Sequence, residues 1–557
     1  MSRKDRLSVS NQTLLYLTVA LAYLTKFVLY RYLVDLDDGL NVWQGIGAYA
    51  VVAGASVLIA LVGQITARYW ATVLVMCLTD LWLIANILYH NANGVFLDWQ
   101  VILFAKALRG FEDSITAYLD WKQFIIPLVT IAVAVFLFTT KKSVCAESKK
   151  GWKYWTIIAA AGVALCLVGR GIGTIGDRFA AREAVRRWSI RAEDNLFLQS
   201  HSPIGHFGRV LWSGIQERIM HVRAVRPLTA QDKRILTSIY TDSVPPAKPE
   251  GHLVFVLVES FESWAMQQRD LDSIDVCESL NNFIRTHNVL FCPNVVSQQK
   301  YGRSGDGQLI TQTGMLPLSS GITCMSFGRN VYPNFAHFYP NSVVLNAYPG
   351  VWNQRVTTKS YGYKRLREPQ RGHRGTDSLL FCQIREELEA AQEPTCVLTL
   401  TINTHVPFSS VPPTLRFGDD LAPIEAKYLQ TVHYMDKHLG RFLAWADTAA
   451  IMQNSTIIIT ADHNHFPERN GKGRCPLVIW SPSITQTIII PQAFQMDIFP
   501  TTLDVIGQSN YAWHGFGIDL LDASAKRRIL PKQAYSLSDK MIRNNFFQSS
   551  PDTPQIK

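Results

Sequence analysis

The sequence predicts an α-helical membrane domain followed by an α/β domain with a doubly wound, mainly parallel sheet. About the first 172 of the 557 residues carry long apolar runs with few charges, whereas the remainder mixes apolar runs with charged residues, Gly and Pro. Within that remainder, three short apolar runs each end in polar residues, which is typical of buried parallel strands. A chain of this length exceeds one hydrophobic core, so at least two structural units are expected.

Five apolar stretches are long enough to cross the ~30 Å of bilayer hydrocarbon, which takes about 20 residues of helix. A single such run could be a buried core helix, but five of them in one half of the chain favour membrane spans. The fourth is the shortest, and extension through Trp121 and Thr140 makes it sufficient. The five stretches are Leu14–Leu33, Val42–Val62, Tyr69–Tyr89, Phe124–Phe138 and Tyr154–Val168.

The orientation of the spans follows from their flanking charges, because short cytoplasmic loops hold the excess of Lys and Arg. The start of the chain is basic, as is the loop between the fourth and fifth spans at residues 141–153, whereas the segment after the first span is acidic. Five crossings from an inside start place everything after about Gly171 on the outer face. No cleavable signal pattern precedes the first span, so we expect that helix to stay as an anchor.

The formal net charge of +10 does not call for a nucleic-acid partner, because much of the excess flanks the predicted spans. Attraction to anionic lipid headgroups explains the charge more simply. Six of the nine cysteines lie in the outer part, where disulfides are permitted, and none of their spacings is a C-x-x-C metal pattern. The flanking arginines include Arg170, Arg178, Arg182, Arg186 and Arg187.

Polar residues follow each of the three apolar runs of the outer part. In open α/β sheets the functional site lies beyond the carboxyl ends of the strands, so we expect these residues to converge. Helical patterns at Ser378–Ala391 and Ile424–Ala444 supply the crossovers that a parallel sheet needs. The runs are Leu253–Val258 before Glu259, Cys396–Ile402 before Asn403-Thr404-His405, and Thr456–Thr460 before Asp462-His463.

Glu259, Asp462 and His463 offer hard oxygen and borderline nitrogen ligands that suit Mn²⁺, Mg²⁺ or Zn²⁺. An isolated Asp-His pair is weak support for a metal site, because the Asp could cap a helix and the His could lie in a polar loop. The metal interpretation is favoured because the pair follows an apolar strand in the same way as Glu259 does.

Six motifs of the outer part follow one another in a characteristic order. They are Val256–Phe261 with Glu259, Tyr301–Asp306 with Ser304, Asn403–Phe408 with His405, Tyr428–Asp436, Thr460–His463 and Gln495–Asp504. In this order they resemble the lipoteichoic acid synthase-like phosphoglycerol transferases of the alkaline phosphatase and sulfatase superfamily. The resemblance extends over the whole chain, including five N-terminal spans, and is most specific in the outer part.

The resemblance implies one divalent metal ion, with Mn²⁺ favoured over Mg²⁺ and Zn²⁺, held by Glu259, Ser304, Asp462 and His463. It also implies that the ionised Ser304 hydroxyl attacks phosphorus and then carries a covalent phosphoglycerol-type group.

Two further roles follow from the resemblance. Arg303 would offset charge on the phosphoryl oxygens, and His405 would contact the substrate and protonate the leaving alkoxide or activate the acceptor hydroxyl. Both the nucleophile and the cation have plainer alternatives: Ser304 and Gly305 could form only a flexible turn, and Arg303 could be a solvated surface charge.

The implied function is transfer of a phosphoglycerol-type group from a membrane phospholipid donor to an envelope glycan or glycolipid acceptor. The implied location is the bacterial cytoplasmic (inner) membrane, multi-pass, with a sulfatase-type catalytic domain on the outer face. The predicted divisions are a membrane domain at residues 1–172, a partly helical, membrane-proximal connector at 173–248, a catalytic domain at 249–545 and a tail at 546–557.

The sequence departs from the family's pattern around the substrate. Ser304 stands where the family usually has Thr, which keeps the hydroxyl. Trp352 matches a tryptophan that lines the family's glycerol phosphate pocket, but the family's arginine is replaced by Gln354, with Arg355 one position later, and a family histidine is replaced by Leu345. We expect Trp352 and Arg355 to contact the substrate, whose head group stays open.

Three alternatives compete with this function. A phosphoethanolamine transferase of the same superfamily would share the anchor, metal and hydroxyl nucleophile, but its additional histidine motifs have no equivalent here. A sulfatase is disfavoured because Ser304 is followed by Gly-Asp-Gly and not by a formylglycine motif. A non-catalytic scaffold for envelope assembly would not need the metal ligands, so bound metal in the purified protein distinguishes it.

The charge pattern predicts that a reporter fused after residue 250 is active only outside the cytoplasmic membrane. Alkaline phosphatase and fluorescent-protein fusions at that position measure this directly, with fusions within residues 141–153 as the cytoplasmic control. Cytoplasmic activity after residue 250 would refute the five-span topology.

Overall fold

The structure is a computed structural model whose described part divides into two compact units. One unit comprises Met1–Ile102 and Gly110–Ile219, and the other Leu103–Arg109 and Met220–Lys557. The described residues are 11–34, 36, 41–66, 68–93, 95–103, 116, 118–139, 152–187, 190–220, 227–240, 247–319, 321–368, 375–466, 471–527, 529 and 531–549. The basic start, most of the acidic segment after the first span, most of the basic loop at 141–153, Pro245 with Pro246, and residues 550–557 lie outside them.

Five helices of the first unit are long and apolar enough to cross a membrane, which confirms the predicted number of spans. The candidate spans are Leu14–Leu33, Val42–Ile65, Tyr69–Ala92, Trp121–Thr139 and Trp152–Arg178. The helices of this part of the chain are Asn11–Leu33, Val42–Ile65, Tyr69–Asn93, Trp99–Leu103, the 3-10 turn Trp121–Phe124, Ile125–Thr139, Trp152–Arg187 and Ile190–Met220.

A buried polar cluster joins three of the spans. Lys26 of the first span forms an ion pair with Asp80 of the third. Thr130 of the fourth span accepts a hydrogen bond from the Lys26 ammonium (2.5 Å) and donates one to Asp80 (2.5 Å). Because an unpaired charge is costly in hydrocarbon, this pairing fixes how the three helices pack against one another.

The predicted connector is largely helical. The segment Ile190–Met220 consists of two helices that meet at Ser202, whose φ of 64° is non-helical, and Pro203 follows directly after it. The proline therefore produces a kink, since it removes one helical hydrogen bond and its ring displaces the preceding turn.

The second unit is built on a nine-stranded sheet. Its strands are β1 (Leu253–Val258), β2 (Leu290–Val296), β3 (Asn341–Asn346), β4 (Arg365–Arg367), β5 (Thr395–Leu400), β6 (Thr456–Ala461), β7 (Cys475–Trp480), β8 (Ile488–Ile489) and β9 (Ala493–Phe494). The spatial order is β4-β3-β5-β1-β6-β7-β2-β8, and β9 also pairs with β2. Only β7 runs antiparallel to its neighbours among these strands, so the predicted mainly parallel sheet is confirmed.

The three strands predicted from their apolar runs are adjacent at the centre of the sheet. β1 lies between β5 and β6, with Leu257 opposite Leu400 and Val258 opposite Ala461. All eighteen residues of the three strands are buried, as expected for strands covered on both faces. The segments that follow these strands therefore emerge side by side at one edge.

Helices pack on this sheet in two groups. Pro423–Thr448 contacts Glu278–Thr286 and Asp377–Glu389, and Ser304–Thr313 contacts Ile498–Val505. The two predicted crossover helices are thus present within a few residues of their expected bounds. The remaining helices are Ala230–Ile239, Thr323–Ser326, Gln354–Ser360, Pro531–Arg543 and Phe546–Ser549, with 3-10 turns at Ser263–Gln267, Phe335–Phe338, Ala450–Met452 and Gln495–Asp497.

Residues from both ends of the second unit meet at the buried Trp513. Tyr240 of the predicted connector and Phe547 of the predicted tail lie 5.4 and 5.3 Å from its ring, centroid to centroid. Of the cysteines described in this unit, Cys277, Cys292, Cys324, Cys382 and Cys396 are free thiols. Packing around Trp513 therefore joins the two ends of the unit without a disulfide at these five positions.

Asp436 fixes the start of helix Glu278–Thr286. Its buried carboxylate accepts hydrogen bonds from Ser279 N (2.8 Å) and Leu280 N (3.0 Å). Asp436→Ala would leave these amide groups without an acceptor, so we expect a loss of about 2–4 kcal/mol of stability. Asp447 lies on the exposed face of Pro423–Thr448, the helix that also carries Asp436, and Asp447→Ala should cost less than about 1 kcal/mol of stability. Thermal unfolding of the full chain in detergent measures both, and equal losses would contradict this role for Asp436.

Candidate active site and metal centre

The turn after β1 brings Glu259 beside Asp462. Ser260 adopts a positive φ of 52°, so the chain turns sharply at the strand end. Its amide donates to Asp462 Oδ1 (2.8 Å), and its hydroxyl donates to Glu259 Oε1 (2.7 Å). One residue thus holds a carboxylate oxygen of each acidic side chain and leaves the other oxygen of each available.

The turn after β6 orients Asp462 and His463. Asp462 Oδ1 also accepts from His463 N (2.7 Å), and His463 Nδ1 lies 3.1 Å from the Asn464 carbonyl oxygen. Since a carbonyl only accepts, the proton is on Nδ1 and the Nε2 lone pair is available as a ligand. Gln495 donates to the Asp462 carbonyl (2.6 Å) and so fixes this turn from behind.

Ser304 is the first residue of helix Ser304–Thr313, whereas the sequence motif alone suggested a loop. Its Oγ donates to Glu259 Oε2 (3.0 Å) and lies 3.3 Å from His463 Nε2. The residue before it, the buried Arg303, has a φ of 44°. The amides of Gly305, Asp306 and Gly307 donate to the carbonyl oxygens of Gly302 and Arg303, so the positive end of the helix dipole lies at Ser304 and favours negative charge at the serine oxygen.

Two glycines allow this helix to approach the metal turn. A Cβ on Gly307 would lie 2.1 Å from the Asp462 carbonyl oxygen, and one on Gly305 would lie 2.8 Å from Cys324 Sγ. Side chains at these positions would push the helix away from Asp462 or from the segment around Cys324. The Gly-x-Gly spacing therefore allows this helix to pack closely against both segments, which the sequence motif alone does not indicate.

Asp306 anchors the segment that leads into Ser304. Its fully buried carboxylate accepts from Lys300 N (2.8 Å) and Gly302 N (2.9 Å). These bonds fold the chain back just before the nucleophile position, which makes the turn rigid and not flexible.

His405 follows β5 at the same sheet edge. Thr404 donates to the Glu259 carbonyl oxygen (2.5 Å), which joins the His405 segment to the metal turn. Asp377 accepts from Asn403 N (3.2 Å) and fixes the segment from the other side. His405 Nδ1 lies 2.6 Å from the Val406 carbonyl oxygen, so the proton is on Nδ1 and Nε2 is the nitrogen that can accept one.

Tyr428 and Glu262, to which the sequence assigned no role, support the turn that follows β1. Tyr428 donates to Ser260 O (2.9 Å) and accepts from Glu262 N (2.9 Å). Glu262 in turn accepts from the amides of His465 (2.7 Å), Phe466 (2.6 Å) and Gly473 (2.8 Å). Burial raises the pKa of Glu262 to about 7. The Tyr428 motif was visible in the sequence, but not what its hydroxyl contacts.

The four predicted ligands have the spacing of a small metal site. His463 Nε2 lies 3.4 Å from Glu259 Oε1 and 3.6 Å from Asp462 Oδ2, and the Ser304 distances are 3.0 and 3.3 Å. Ligand bonds of about 2.0–2.2 Å in a tetrahedron give edges of about 3.3–3.6 Å. Two carboxylates, an imidazole and a hydroxyl therefore fit a divalent ion by both chemistry and spacing.

The electrostatics of the site also call for a cation. Burial and the neighbouring Glu259 raise the pKa of Asp462 well above its usual value. Within the described residues, His463 is the one basic side chain that pairs with either carboxylate. Two adjacent buried carboxylates are costly unless a positive charge offsets them.

Trp352 and Arg355, the two predicted substrate contacts, lie in different surroundings: one packs against the Ser304 helix and the other is mostly exposed. Trp352 lies against the Ser304 helix, with its Cβ 3.4 Å from where a Cβ of Gly305 would be. Arg355 is mostly exposed, and both of its described hydrogen bonds go to Glu368 (2.7 Å each). Gln354 is buried and accepts from Asn346 at the end of β3 (3.2 Å).

Two family models match the chain. One described as sulfatase matches residues 322–508, and one described as lipoteichoic acid synthase N-terminal domain matches residues 1–182. The sulfatase match includes β3 to β7 with the Asp462-His463 turn, whereas Glu259 and Ser304 precede it.

Related proteins align over most of the chain. Lipoteichoic acid synthase 1 of Bacillus subtilis strain 168 is 21% identical over 486 residues, which cover 79% of this chain and 73% of the relative. The crystal structure of the lipoteichoic acid synthase LtaP from Listeria monocytogenes has a TM-score of 0.47 and 16% identity, covering 57% of this chain and 97% of that chain. The phosphoethanolamine transferase EptA of Neisseria meningitidis has a TM-score of 0.49 and 13% identity, covering 89% of this chain and 96% of that chain.

The membrane helices, the sheet and these matches define a class: the chain is a membrane phosphoryl-group transferase of the sulfatase superfamily. Within that superfamily it is a lipoteichoic acid synthase-like protein, because its N-terminal domain and most of its length match those enzymes.

The close approach of Gly307 to Asp462 predicts a sensitive position. Gly307→Ala should displace the Ser304 helix from the metal turn, so we expect loss of bound metal and an activity loss of about 100-fold. Gly350→Ala is the matched control, because a Cβ there meets nothing within 4 Å. Metal content by mass spectrometry and transfer assays measure the effect; a Gly307→Ala protein with wild-type metal and turnover would contradict the packing argument.

Proposed function

We propose that this chain moves a phosphoglycerol-type group from a phospholipid donor to an envelope glycan or lipid acceptor, with Ser304 as the nucleophile. The observation that carries the proposal is the position of the Ser304 hydroxyl, 3.0 Å from Glu259 and 3.3 Å from His463, at a helix start. The fold does not need a hydroxyl among the proposed metal ligands, because water could form the same hydrogen bonds with them. Its place suits an oxygen that must ionise.

A divalent ion, proposed as Mn²⁺ with Mg²⁺ and Zn²⁺ as alternatives, would be held by Glu259, Ser304, Asp462 and His463, and it supplies the positive charge that favours ionisation of the serine. The chain's own residues do the rest of the work. Arg303, which is buried directly before Ser304, would offset the negative charge that develops on the phosphoryl oxygens.

In the first half of the reaction, the ionised Ser304 Oγ forms a bond to phosphorus and the bond from phosphorus to the lipid oxygen breaks. His405, which enters this half protonated on both ring nitrogens, gives its Nε2 proton to that leaving oxygen. In the second half, His405 takes a proton from the acceptor hydroxyl, whose oxygen bonds to phosphorus as the Ser304 ester bond breaks. The fixed Nδ1–H of His405 supports this role, because Nε2 is then the atom that gains and loses the proton.

Trp352 and Arg355 are the proposed substrate contacts. Trp352 packs beside Gly305 and presents an apolar surface next to the nucleophile. Arg355 would exchange the Glu368 carboxylate for a substrate phosphate oxygen, a change that costs little because the pair is exposed. We further propose the cytoplasmic membrane as the location, with the five-span topology described above.

Replacing the nucleophile and a metal ligand should give different failures. Ser304→Ala should abolish transfer but keep the metal, because two carboxylates and an imidazole remain as ligands. Asp462→Ala should lose metal as well as activity. Ser304→Thr should retain activity, since it keeps the hydroxyl. The measurements are turnover of labelled phosphatidylglycerol, metal content and thermal unfolding of each purified full-length variant, with a stability loss of about 1 kcal/mol or less expected for Ser304→Ala.

Mass spectrometry of Ser304 after incubation with membrane lipids identifies the transferred group from the mass of the adduct. A phosphoglycerol adduct supports the proposal, and a phosphoethanolamine adduct would replace it with the rival transferase. Substantial lipid turnover by Ser304→Ala would mean that water or another residue attacks phosphorus, and the covalent mechanism would be abandoned.

A further inference from the structure

A buried polar cluster lies in the membrane unit, where the kinked segment Ile190–Met220 contacts the second and fifth spans. Ser200 donates to Asp177 Oδ2 of the fifth span (2.9 Å), and Gln44 of the second span donates to Asp177 Oδ1 (3.0 Å). His201 Nδ1 lies 2.5 Å from Ser200 Oγ. Both oxygens of the Asp177 carboxylate therefore accept hydrogen bonds from neutral groups.

The cluster lies a short distance inside the bundle and not at its tip. A Cβ on Gly173 would lie 2.6 Å from the Ser200 carbonyl oxygen, and one on Gly169 would lie 2.7 Å from the Gly47 carbonyl oxygen. Gly47 follows Val42, the first residue of the second span, by about 8 Å of helix. This end of the span is the one that the charge pattern places outside. The cluster is therefore near the depth at which lipid headgroups meet the hydrocarbon.

Arg170 is an exposed charge at this depth. It follows Gly169 in the fifth span, and its guanidinium has no hydrogen bond or ion pair among the described residues. By contrast, Lys26 inside the first span is buried and pairs with Asp80. A charge without a partner on a membrane span is costly, and such residues mark functional positions. An anion from outside the described part of the chain would remove that cost.

Positive charge exceeds negative charge around His201. Burial lowers the pKa of His201, and the Asp177 carboxylate raises it. The charges of Arg170 and Arg209 lower this pKa again, so both guanidinium groups lie near the imidazole. Arg209 is held with its guanidinium over the Phe197 ring, 4.1 Å from the centroid. With the imidazole neutral, two positive charges face one negative charge.

The helix after the kink offers an apolar surface beside these charges. Phe207, Leu211 and Ile215 are exposed and recur every four residues, which places them on one face, and the neighbouring Trp212 is also exposed. Arg209 lies on this same helix. A phospholipid needs both a cation for its phosphate and an apolar surface for its acyl chains, whereas a free phosphate needs only the cation.

We propose that Arg170, with Arg209 beside it, binds the phosphate of an anionic phospholipid whose acyl chains lie along the exposed face of the helix after the kink. The planar fork of a guanidinium matches two phosphate oxygens. A zwitterionic lipid would bring an ammonium group to a place that already has an excess of positive charge, so a lipid without an amine is favoured. The inference concerns the membrane unit alone and does not depend on the proposed transfer reaction.

Native mass spectrometry of the full chain in detergent tests this site, with phosphatidylglycerol and phosphatidylcholine of equal chain length as probes. We expect the wild-type protein to bind phosphatidylglycerol more tightly than phosphatidylcholine. For Arg170→Gln the Kd for phosphatidylglycerol should rise about fivefold, which is the usual contribution of one arginine near an anionic headgroup. The Kd for phosphatidylcholine should change little.

Two variants control for charge and position. Arg170→Lys should keep part of the preference for phosphatidylglycerol, because it retains the charge without the planar fork. Arg68→Gln removes an exposed arginine that lies near the Trp70 ring, beyond the other end of the second span. It should leave both Kd values unchanged. Thermal unfolding of each variant checks that the fold is intact.

Equal Kd values of wild type and Arg170→Gln for phosphatidylglycerol, or the same rise for both lipids, would overturn the proposal. So would an equal rise in Arg68→Gln, since any arginine near the headgroups would then suffice. Soluble sn-glycerol 3-phosphate is the competitor that separates a lipid from a free phosphate ester. We expect it to leave phosphatidylglycerol bound because it has no acyl chains, and full displacement would contradict a lipid site. Ser304 chemistry enters none of these measurements, so a failure of the proposed function would be seen separately.

Discussion

The second unit depends on one costly arrangement, two buried carboxylates at the ends of neighbouring strands. The register of β1 and β6 places Val258 opposite Ala461, so Glu259 and Asp462 have to emerge near each other. Neither can be neutralised by the other, and burying like charges is unfavourable by several kcal/mol unless a cation offsets them. The Ser260 amide and hydroxyl and the His463 amide donate to the pair, but these neutral groups do not supply two positive charges. A divalent ion would do so, and the sheet therefore accounts for why we propose a metal at this place.

The rest of the site is arranged so that a neutral hydroxyl reaches this centre. In the proposed function, Ser304 would add a ligand without adding charge in its protonated form, and the ion would favour its ionisation. That requires close packing of the helix, which Gly307 permits, and a rigid approach, which Asp306 provides. Tyr428 supports the turn after β1, and Gln495 supports the turn after β6. Rigid support of this kind is what lets a metal site keep a reactive geometry.

The fold and the ligand set could be predicted from the sequence because both leave local signals. Continuous apolar runs identify buried strands, and the polar residues after them mark the sheet edge, so β1, β5 and β6 were predicted within one or two residues. The long-range hydrogen bonds that support the site could not be predicted in the same way. The bond from Tyr428 to Ser260 joins residues 168 positions apart, and nothing near either residue announces it. Likewise Ser304 lies at a helix start because of contacts with distant segments, whereas its Gly-rich surroundings by themselves favour a turn.

The chemistry and the choice of substrate belong to different parts of this unit. Glu259, Asp462 and His463 follow central strands, which the sheet holds rigidly. Trp352 and Arg355 lie on the segment between β3 and β4, which does not build the pair of buried carboxylates. The departures from the family pattern at Gln354 and Leu345 fall in this same region, where Gln354 pairs with Asn346 at the end of β3. Loops on a fixed scaffold can change what is bound without changing the reaction. The central strands therefore keep the proposed chemistry constant, and the segment around Trp352 is where we expect a difference in the bound head group to originate.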